Sequence, residues 1–438
     1  MIFGRTKSVC PVCLRVLDAK KRAEKDGVYL DKTCPEHGAF STLIWEGNLA
    51  SYTAWNRENR AVDPPREGKA PSKGCPLDCG LCTAHRRKGC CVLLELTKRC
   101  DLRCPVCFAS AGESAGEDPG LEEIAAQYDW LMAHGGPFNI QLSGGEPTQR
   151  DDLPAIIRLG YEKGFSFFQL NTNGLRLAAR PDYARELKAA GLNTVFLQFD
   201  GLDDEVCQVL RGRPLLEEKK RCIENCAAAG LGVVLVPVIA AGVNEGQLWP
   251  TVEYALSHSP AVRGVHIQPI SYFGRCALDR PARPLTIPAV LRLLEAQSGG
   301  ALHAADFSGG GAENPYCSFH AAYRIREDGS LKPLPRRDGG GSCCTASDDS
   351  RVSVAEQWSG ESCCGAASDR TETSAFDEFL SEIRRRTFTV SGMVFQDAWN
   401  LDLERLQRCH ICEADARYGM VPFCAYNLTA ADGRPLYR

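Results

Sequence analysis

The sequence has little that would place the chain in a membrane or on nucleic acid. Its longest uncharged apolar stretch, residues 231–243, is much shorter than the roughly 20 residues that cross a bilayer. Residues 1–7 lack the apolar core of a secretory signal. The 51 basic and 55 acidic residues nearly cancel, so no global positive field favours nucleic acid. We therefore expect a cytoplasmic protein with no transmembrane segment and no nucleic-acid partner.

Cysteine, by contrast, is abundant, with 23 among 438 residues. An odd number of cysteines without a signal peptide does not suit a disulfide framework in a reducing compartment. Metal binding is the better interpretation, because many of these cysteines fall in tight clusters, as iron-sulfur or zinc ligation requires. Cys207, Cys222 and Cys226 stand singly in helix-like sequence, and we expect them to be small core residues.

Residues 1–62 are predicted to form a compact metal-binding knuckle. Cys10-Pro-Val-Cys13 and Cys34-Pro-Glu-His37 each offer two ligands. That pattern is typical of a zinc ribbon or a rubredoxin-like site, in which two turns hold one zinc or mononuclear iron ion. The alternative is a surface hairpin with unligated cysteines.

Residues 92–300 alternate between strand-like and helix-like segments, which predicts an α/β fold. Six segments read as strands: 92–97, 139–143, 167–171, 194–199, 233–238 and 264–269. Helical apolar spacing lies between them, as at Leu121, Ile124 and Tyr128. Six strand-helix units predict a parallel sheet, as a partial (β/α)6 TIM-like barrel with its site at the C-terminal ends of the strands.

The flanking segments are less regular. Residues 63–91 begin with a stretch rich in Pro, Gly and charged residues and read as a linker followed by an auxiliary cluster segment. Residues 301–438 carry cysteines at both ends and are expected to form a C-terminal auxiliary iron-sulfur region. Within them, residues 338–370 are rich in Gly, Ser and Asp and twice contain Ser-Cys-Cys. We expect this stretch to be a flexible Cys-Cys insertion with too few apolar residues to pack.

The strongest chemical signal follows the first predicted strand. Cys100, Cys104 and Cys107 share one loop, and three cysteines can hold three irons of a 4Fe-4S cube and leave the fourth iron open. The second strand ends in Gly144-Gly145-Glu146-Pro147, where paired glycines let a ligand approach the backbone and Glu146 offers a carboxylate to an ammonium group. A zinc site at the triad is the alternative, but it leaves this turn unexplained.

Together, these motifs resemble those of the radical SAM superfamily. The resemblance implies that the triad binds the catalytic 4Fe-4S cluster and that the Gly-Gly-Glu-Pro turn contacts the amino group of S-adenosylmethionine. It further implies reductive cleavage of this cofactor to a 5'-deoxyadenosyl radical, with a flavodoxin- or ferredoxin-like electron donor. Other strand ends are expected to contact the cofactor, although each could equally be a turn or a helix cap: Asn171, Asn173, Gln198, Asp200 and Gln268.

A second cysteine triad has the same spacing but a different context. Cys75, Cys79 and Cys82 follow the linker rather than a barrel strand. No Gly-Gly-Glu-Pro turn follows them at a matching distance, so we expect an auxiliary cluster there. The fourth ligand is His85, Cys90 or Cys91. A zinc site is the alternative.

The C-terminal part adds a more specific resemblance. Asn400-Leu-Asp-Leu-Glu-Arg405, Cys409 and Cys424, with the Cys75 to His85 pattern, resemble the tetraether lipid synthase branch, once classed as pterin methyltransferases. The chain also resembles a selenoprotein-like bacterial radical SAM group, the Trs system. In the first branch a cysteine precedes the Asn400 run, where this chain has Gly392-Met393. We expect Cys412 to complete a site with Cys317, Cys409 and Cys424.

Two classes of reaction are left open by these residues. One is an enzyme that forms a carbon-carbon or carbon-sulfur bond, or methylates, at an unactivated C–H of a small or lipid-like substrate. The other is a maturase that modifies a peptide or protein partner. A non-enzymatic iron-sulfur scaffold is a third reading, and the intact Gly-Gly-Glu-Pro turn argues against it.

Overall fold

The computed structural model describes most of the chain, namely residues 1–56, 70–80, 82–112, 116–310, 314–335, 351, 352, 355, 358 and 386–438. The predicted linker's residues 63–69 and both Ser-Cys-Cys units of the 338–370 stretch lie outside the described residues. In the described part, no helix is long and apolar enough to cross a membrane.

A small antiparallel sheet opens the chain. Its four strands pair in sequence order: β1 (Ile2–Val9), β2 (Val16–Ala23), β3 (Gly27–Cys34) and β4 (Gly38–Glu46). Cys10 and Cys13 lie in the turn after β1, and His37 lies in the turn after Cys34. We call this unit the ribbon.

A large mixed sheet forms the centre of the molecule. Its parallel strands are β5 (Cys91–Thr97), β7 (Asn139–Gly144), β8 (Phe168–Thr172), β9 (Thr194–Gln198), β10 (Gly232–Val236), β12 (Val262–Pro269), β16 (Thr387–Met393) and β17 (Ile411–Asp415). Antiparallel strands extend both edges: β14 (Ser318–Ile325), β15 (Leu331–Pro333) and β18 (Gly419–Pro422). The short strand β11 (Val238–Ile239) pairs with β12, whereas β6 (Val106–Cys107) and β13 (Arg275–Cys276) form a separate two-stranded sheet.

The helices follow the strands as the alternation predicts. Their bounds are α1 (Leu49–Trp55), α2 (Leu121–Ala133), α3 (Leu153–Glu162), α4 (Leu175–Ala179), α5 (Pro181–Ala189), α6 (Asp204–Arg211), α7 (Leu216–Ala228), α8 (Leu248–Ser257), α9 (Ile287–Gln297), α10 (Leu403–Leu406) and α11 (Phe423–Tyr426). Their apolar faces cover one side of the sheet, where strand residues such as Leu142, Leu170 and Leu197 are fully buried. Burial of this apolar surface is the main force that holds the layers together.

All six predicted barrel strands are present, but the parallel sheet is wider than the sequence indicated. The order is β15-β14-β16-β12-β10-β9-β8-β7-β5-β17-β18. The region after residue 301 thus adds parallel strands at both edges, β16 beside β12 and β17 beside β5. This C-terminal region therefore extends the barrel sheet, in addition to carrying the cysteines that the sequence analysis noted.

The sheet's other face, which we call the inner face, carries polar side chains. The Gln141 amide donates to Cys91 Sγ at 2.8 Å, and its oxygen accepts from Asn171 Nδ2 at 3.2 Å. Asn171 Oδ1 in turn accepts from Gln169 Nε2 at 2.7 Å. Further along, His266 Nδ1 lies 2.9 Å from Ser391 Oγ. A polar inner face suits a barrel that encloses a ligand rather than a dry core.

Two residues of the predicted flexible insertion pack against this inner face. Ala355 and Trp358 are buried with Phe167 and Val234, and the Trp358 ring meets the Phe196 ring edge-on at 5.6 Å. The expectation that the 338–370 stretch offers too few apolar residues to pack is wrong for these residues, because one buried tryptophan removes a large apolar area from water.

The ribbon packs against the region that follows β16. Lys32 is buried, and its ammonium donates to the carbonyls of Ala398 and Trp399 at 2.7 and 3.0 Å. Lys21 forms an ion pair with Asp402 at 2.7 Å. These buried charged groups fix the position of the ribbon against the region after β16, because moving the two apart would leave a buried charge without a partner.

Replacing Trp358 with alanine should destabilise the fold. Trp358→Ala leaves a cavity against Phe196, so we expect the free energy of unfolding to fall by about 3 kcal/mol. The urea midpoint of the purified protein measures this loss. Leu121→Ala, at a residue 42% exposed, is the control and should change the midpoint little. Equal small shifts in both variants would contradict the packing described.

Candidate functional site

The cysteine loop begins where β5 ends. Cys104 is buried, whereas Cys100 and Cys107 are half-buried. The Leu102 amide donates to Cys100 Sγ at 3.4 Å. Burial raises the pKa of Cys100 to about 12 and also raises the pKa of Cys104. Thiolates in this loop therefore need a positive partner, which an iron cluster supplies.

The Gly-Gly-Glu-Pro turn is joined to this loop by backbone hydrogen bonds. The Gly145 amide donates to the Thr97 carbonyl at 2.7 Å, and the Glu146 amide donates to the Arg99 carbonyl at 2.8 Å. A Cβ on Gly144 would lie 2.4 Å from Thr97 O, and one on Gly145 would lie 2.2 Å from Arg99 O. Only glycine permits this approach, since real Cβ atoms do not come so close to backbone oxygen.

Glu146 links the turn to the next strand end. Its Oε1 accepts from the Thr148 amide at 3.1 Å and from the hydroxyls of Thr148 and Thr172 at 2.6 and 2.7 Å. Its Oε2 accepts from the Asn173 amide at 2.7 Å. Burial raises the pKa of this carboxyl, although these bonds oppose the shift. Most of its accepting capacity is thus used inside the protein.

Asp101 connects the cysteine loop to the same strand ends. Its Oδ1 accepts from Asn173 Nδ2 at 2.6 Å, and its Oδ2 accepts from Gln149 Nε2 at 3.2 Å. The structure therefore brings Cys100, Glu146 and Asn173 together, as the sequence predicts. Asp101 itself was missed, although it lies inside the cysteine motif.

Two buried cations lie behind the cysteine loop. Arg211 pairs with Asp200 through contacts of 2.6 and 2.7 Å, and its third nitrogen donates to the Val106 carbonyl at 3.0 Å. The Lys219 ammonium donates to the Asn173 carbonyl and to Gln198 Oε1. Burial lowers the pKa of Lys219, and both cations act to lower the pKa of Cys104.

The other predicted cofactor-binding residues differ in their surroundings. Asp200 also accepts from the Val238 amide at 3.0 Å, so its oxygens are used in holding Arg211 and β11. Asn171 lies in the polar chain of the inner face. Gln268 is half-buried on β12, next to Val238 of β11. Pro147 is buried and begins the turn that Glu146 caps.

The ribbon cysteines form a compact metal-ligand set. Cys10, Cys13, Cys34 and His37 bring one ligand atom each within 4.8 Å of one another. Cys13 Sγ lies 3.9 Å from Cys34 Sγ, and His37 Nδ1 lies 3.4 Å from Cys34 Sγ. Such separations match the edges of a zinc or iron tetrahedron with metal-sulfur bonds of about 2.3 Å.

Electrostatics at the ribbon favour a metal-binding thiolate. Burial alone would raise the pKa of Cys34, but hydrogen bonds from His37 and from the Glu36 and His37 amides outweigh it and lower the pKa to about 6. Across the described residues, no other group of three or more Cys, His, Asp or Glu side chains is as compact.

The second triad lies near the β17 edge of the sheet. Burial and the nearby Cys79 thiol raise the pKa of Cys82, and the Cys75 thiol raises the pKa of Cys79. The Cys79 amide donates to the Tyr437 hydroxyl at 2.9 Å. His85 Nε2 lies 2.7 Å from the Cys409 carbonyl, and burial lowers the pKa of the ring. When the Nε2 of a neutral histidine donates to a carbonyl, its Nδ1 carries a lone pair that can bind a metal.

The C-terminal cysteines lie on two faces of β17. Cys424 has the thiols of Cys409 and Cys317 as neighbours, and the Gln396 amide donates to its sulfur at 3.2 Å. Cys412 pairs with Val92 and packs into the helix-side core. Its thiol neighbours are Cys409, Cys79 and Cys91. The expected grouping of Cys412 with Cys317 and Cys424 is thus not what the structure shows, because strand alternation turns Cys412 to the other side.

Several buried charged residues near these cysteines were missed by sequence reasoning. Arg405 Nη2 donates to Cys317 Sγ at 3.4 Å, and Arg211 and Lys219 lie behind the Cys100 loop. A signal for Lys219 exists, since Leu215, Lys219, Cys222 and Cys226 share one helical face with apolar neighbours. A lysine on such a face needs buried acceptors.

Comparisons with known proteins agree with this geometry. The profile of the radical SAM superfamily matches residues 94–255, and that of the HMPTM N-terminal zinc ribbon domain matches residues 2–46. The chain is 32% identical to the 7,8-dihydro-6-hydroxymethylpterin dimethyltransferase of Methanocaldococcus jannaschii, over 97% of this chain and 93% of that protein.

Other matches cover a smaller share of the chain. The mycofactocin maturase of Mycobacterium ulcerans is 29% identical over 41% of this chain and 47% of its own length. Among solved structures, Streptococcus suis SuiB bound to S-adenosylmethionine matches with a TM-score of 0.40 and 16% identity, over 48% of this chain and 47% of that chain.

The predicted resemblance, the barrel fold and the assignment as an enzyme are confirmed by the profile and whole-length matches. Membership implies a 4Fe-4S cluster and S-adenosylmethionine as cofactors. The chain therefore belongs to the radical SAM superfamily, in the branch that carries an N-terminal HMPTM zinc ribbon.

Proposed function

We propose that this enzyme cleaves S-adenosylmethionine at the Cys100 loop and uses the 5'-deoxyadenosyl radical on an unactivated C–H of a small or lipid-like substrate. The outcome is methylation, or formation of a carbon-carbon or carbon-sulfur bond. The observation that carries this proposal is the direct joining of the Gly-Gly-Glu-Pro backbone to residues 97–99, immediately before Cys100.

In this proposal Cys100, Cys104 and Cys107 hold the 4Fe-4S cluster. The half-buried sulfurs of Cys100 and Cys107, the buried sulfur of Cys104 and the amide donor to Cys100 support a cluster held by this loop. When bound, the cluster supplies the electron and an open coordination site for S-adenosylmethionine.

The neighbouring strand ends position that cofactor. Gly144, Gly145 and Pro147 shape the turn, and Glu146 fixes its distance from Asn173. Asn173 and Gln198 stand at adjacent strand ends and share the Lys219 ammonium. We assign Asp200 a positioning role through Arg211, and we assign Asn171 and Gln268 to the inner face that receives cofactor or substrate.

The remaining cysteines are proposed as further metal sites. Cys75, Cys79 and Cys82 hold an auxiliary cluster, for which His85 and Cys412 are the candidates for the fourth ligand. Cys317, Cys409 and Cys424 form the other group, so one or two auxiliary clusters are expected. Cys10, Cys13, Cys34 and His37 hold one zinc or mononuclear iron ion.

The whole-length relative supports a small-molecule outcome. That relative is named as a pterin dimethyltransferase, and the match extends over 97% of this chain, so it includes the ribbon and the C-terminal region as well as the barrel. Similarity to the mycofactocin maturase is confined to 41% of this chain, so a peptide substrate is less well supported. A flavodoxin- or ferredoxin-like protein is proposed as the electron donor.

Removing the first triad should abolish cofactor cleavage. A variant with Cys100→Ala, Cys104→Ala and Cys107→Ala loses the proposed ligands of the cluster, so 5'-deoxyadenosine should fall to background and iron content by about four per chain. Anaerobic reconstitution, iron analysis and chromatography of the nucleoside measure both. A Cys222→Ala, Cys226→Ala variant, which removes two buried core thiols, is the control. Undiminished 5'-deoxyadenosine from the triple variant would sink the assignment.

Disrupting the ribbon set should release one metal ion. In full-length protein, Cys10→Ser with Cys34→Ser should lose one equivalent of zinc or iron by elemental analysis. The melting temperature should also fall, because metal-binding free energy contributes to folding. Cys276→Ser is the control, since Cys276 lies outside the set. Unchanged metal content would show that the ribbon does not bind it.

Neutralising the buried lysine should slow the reaction more than its exposed neighbour does. Lys219→Met removes donors to Asn173 and Gln198, so the rate of 5'-deoxyadenosine formation should fall about tenfold, as for a lost hydrogen bond from a charged group. Lys220→Met removes only an exposed ion pair with Glu217 and is the matched control. If both variants have the same rate, Lys219 does not position the site.

A further inference from the structure

A partly open cavity of about 30 Å³ lies where the ribbon meets the barrel. Trp45 of β4 forms one wall, and Tyr272 and Phe395, which follow β12 and β16, form another. Arg280 and Arg405 also line it. The volume is enough for about two water molecules or one small polar group. None of its described lining residues is cysteine or histidine.

Arg405 presents an unused donor in this cavity. The residue is 8% exposed, and its Nη2 donates to Cys317 Sγ at 3.4 Å and to the Val394 carbonyl at 3.3 Å. Its buried Nε has no partner in the described part of the chain. Buried N–H groups are nearly always paired, so an acceptor is missing here.

Arg280 adds a second guanidinium, which lies near the Asp397 carboxylate without a hydrogen bond to it. It makes no hydrogen bond or ion pair with the described residues and lies 4.9 Å over the Trp399 ring. The cavity's one lining carboxylate, Asp397, accepts from the backbone amides of Trp399 at 3.0 Å and Tyr272 at 3.1 Å. Both cations therefore retain donors for an anion.

One segment of the chain connects the cavity to the cysteine loop. Residues 270–277 form its wall at Tyr272 and then reach the loop, where Cys276 pairs with Val106. Arg275 Nε donates to the Cys104 carbonyl at 2.8 Å. A group held in the cavity lies on the C-terminal side of the strands, where barrel enzymes bind substrates.

We infer that this cavity binds a terminal oxyanion of the substrate, a phosphate ester or a carboxylate, through Arg280 and Arg405. The inference rests on the proposed function, because it names a chemical feature of the same substrate. Planar guanidinium groups bind both oxyanions in the same way, with paired N–H donors. Anchoring a substrate by its charged end positions an uncharged C–H for radical attack.

Titration calorimetry on the full-length, anaerobically reconstituted protein tests this inference. The probes are glycerol phosphate, inorganic phosphate, acetate and, as the uncharged control, glycerol. The variants are Arg280→Gln and, as a matched control on the same segment, Arg283→Gln, which removes only an exposed pair with Asp26. We expect saturable binding of an anionic probe, weakened about tenfold or more by Arg280→Gln and unchanged by Arg283→Gln. Arg280→Lys should restore part of it.

Each outcome decides the inference. Tighter binding of glycerol phosphate assigns a phosphate ester, and tighter binding of acetate assigns a carboxylate. Equal binding of inorganic phosphate and glycerol phosphate would overturn the substrate assignment, because the site would then recognise a free ion. Absence of saturable anion binding, or equal weakening by both glutamine variants, would overturn the site. Failure of the proposed function is distinguishable, since it appears as absent 5'-deoxyadenosine in wild-type protein.

Discussion

The contact between the Gly-Gly-Glu turn and residues 97–99 is the constraint on which the site depends. Two backbone hydrogen bonds set the distance between the end of β7 and the start of the cysteine loop. A side chain at Gly144 or Gly145 would meet backbone oxygen at under 2.5 Å, so the contact exists only with glycine. A cluster on the loop and a cofactor on the turn can share one coordination site only if that distance is fixed.

Buried charges extend this constraint beyond the backbone. Asp101 and Glu146 join the loop and the turn to Asn173, and Lys219 joins Asn173 to Gln198. Arg211 holds the far end of the loop through the Val106 carbonyl. Burial raises the pKa of Cys104, and Arg211 and Lys219 act to lower it. The same network thus fixes geometry and favours the thiolate form of this cysteine.

The sequence predicted most of the barrel because its strands are buried, apolar and separated by helical spacing. The motifs at Cys100 and Gly144 were also readable, since their spacing is local. The pairing of strands that are distant in the sequence was not predicted. Nothing near Thr387 or Ile411 indicates that these strands join opposite edges of one sheet. The grouping of Cys412 failed for a related reason, because strand alternation rather than spacing decides which face it occupies.

The ribbon and the C-terminal region are best understood as one cover over the catalytic edge of the sheet. Lys32 binds the Ala398 and Trp399 carbonyls, while Thr6 and Lys21 bind Asp402. The segment 270–277 runs between this cover and the cysteine loop. A carbon radical requires exclusion of water and a fixed substrate. A barrel with one open edge provides neither by itself, so a metal ion held by Cys10, Cys13, Cys34 and His37, as proposed, would support this cover by joining the two turns of the ribbon.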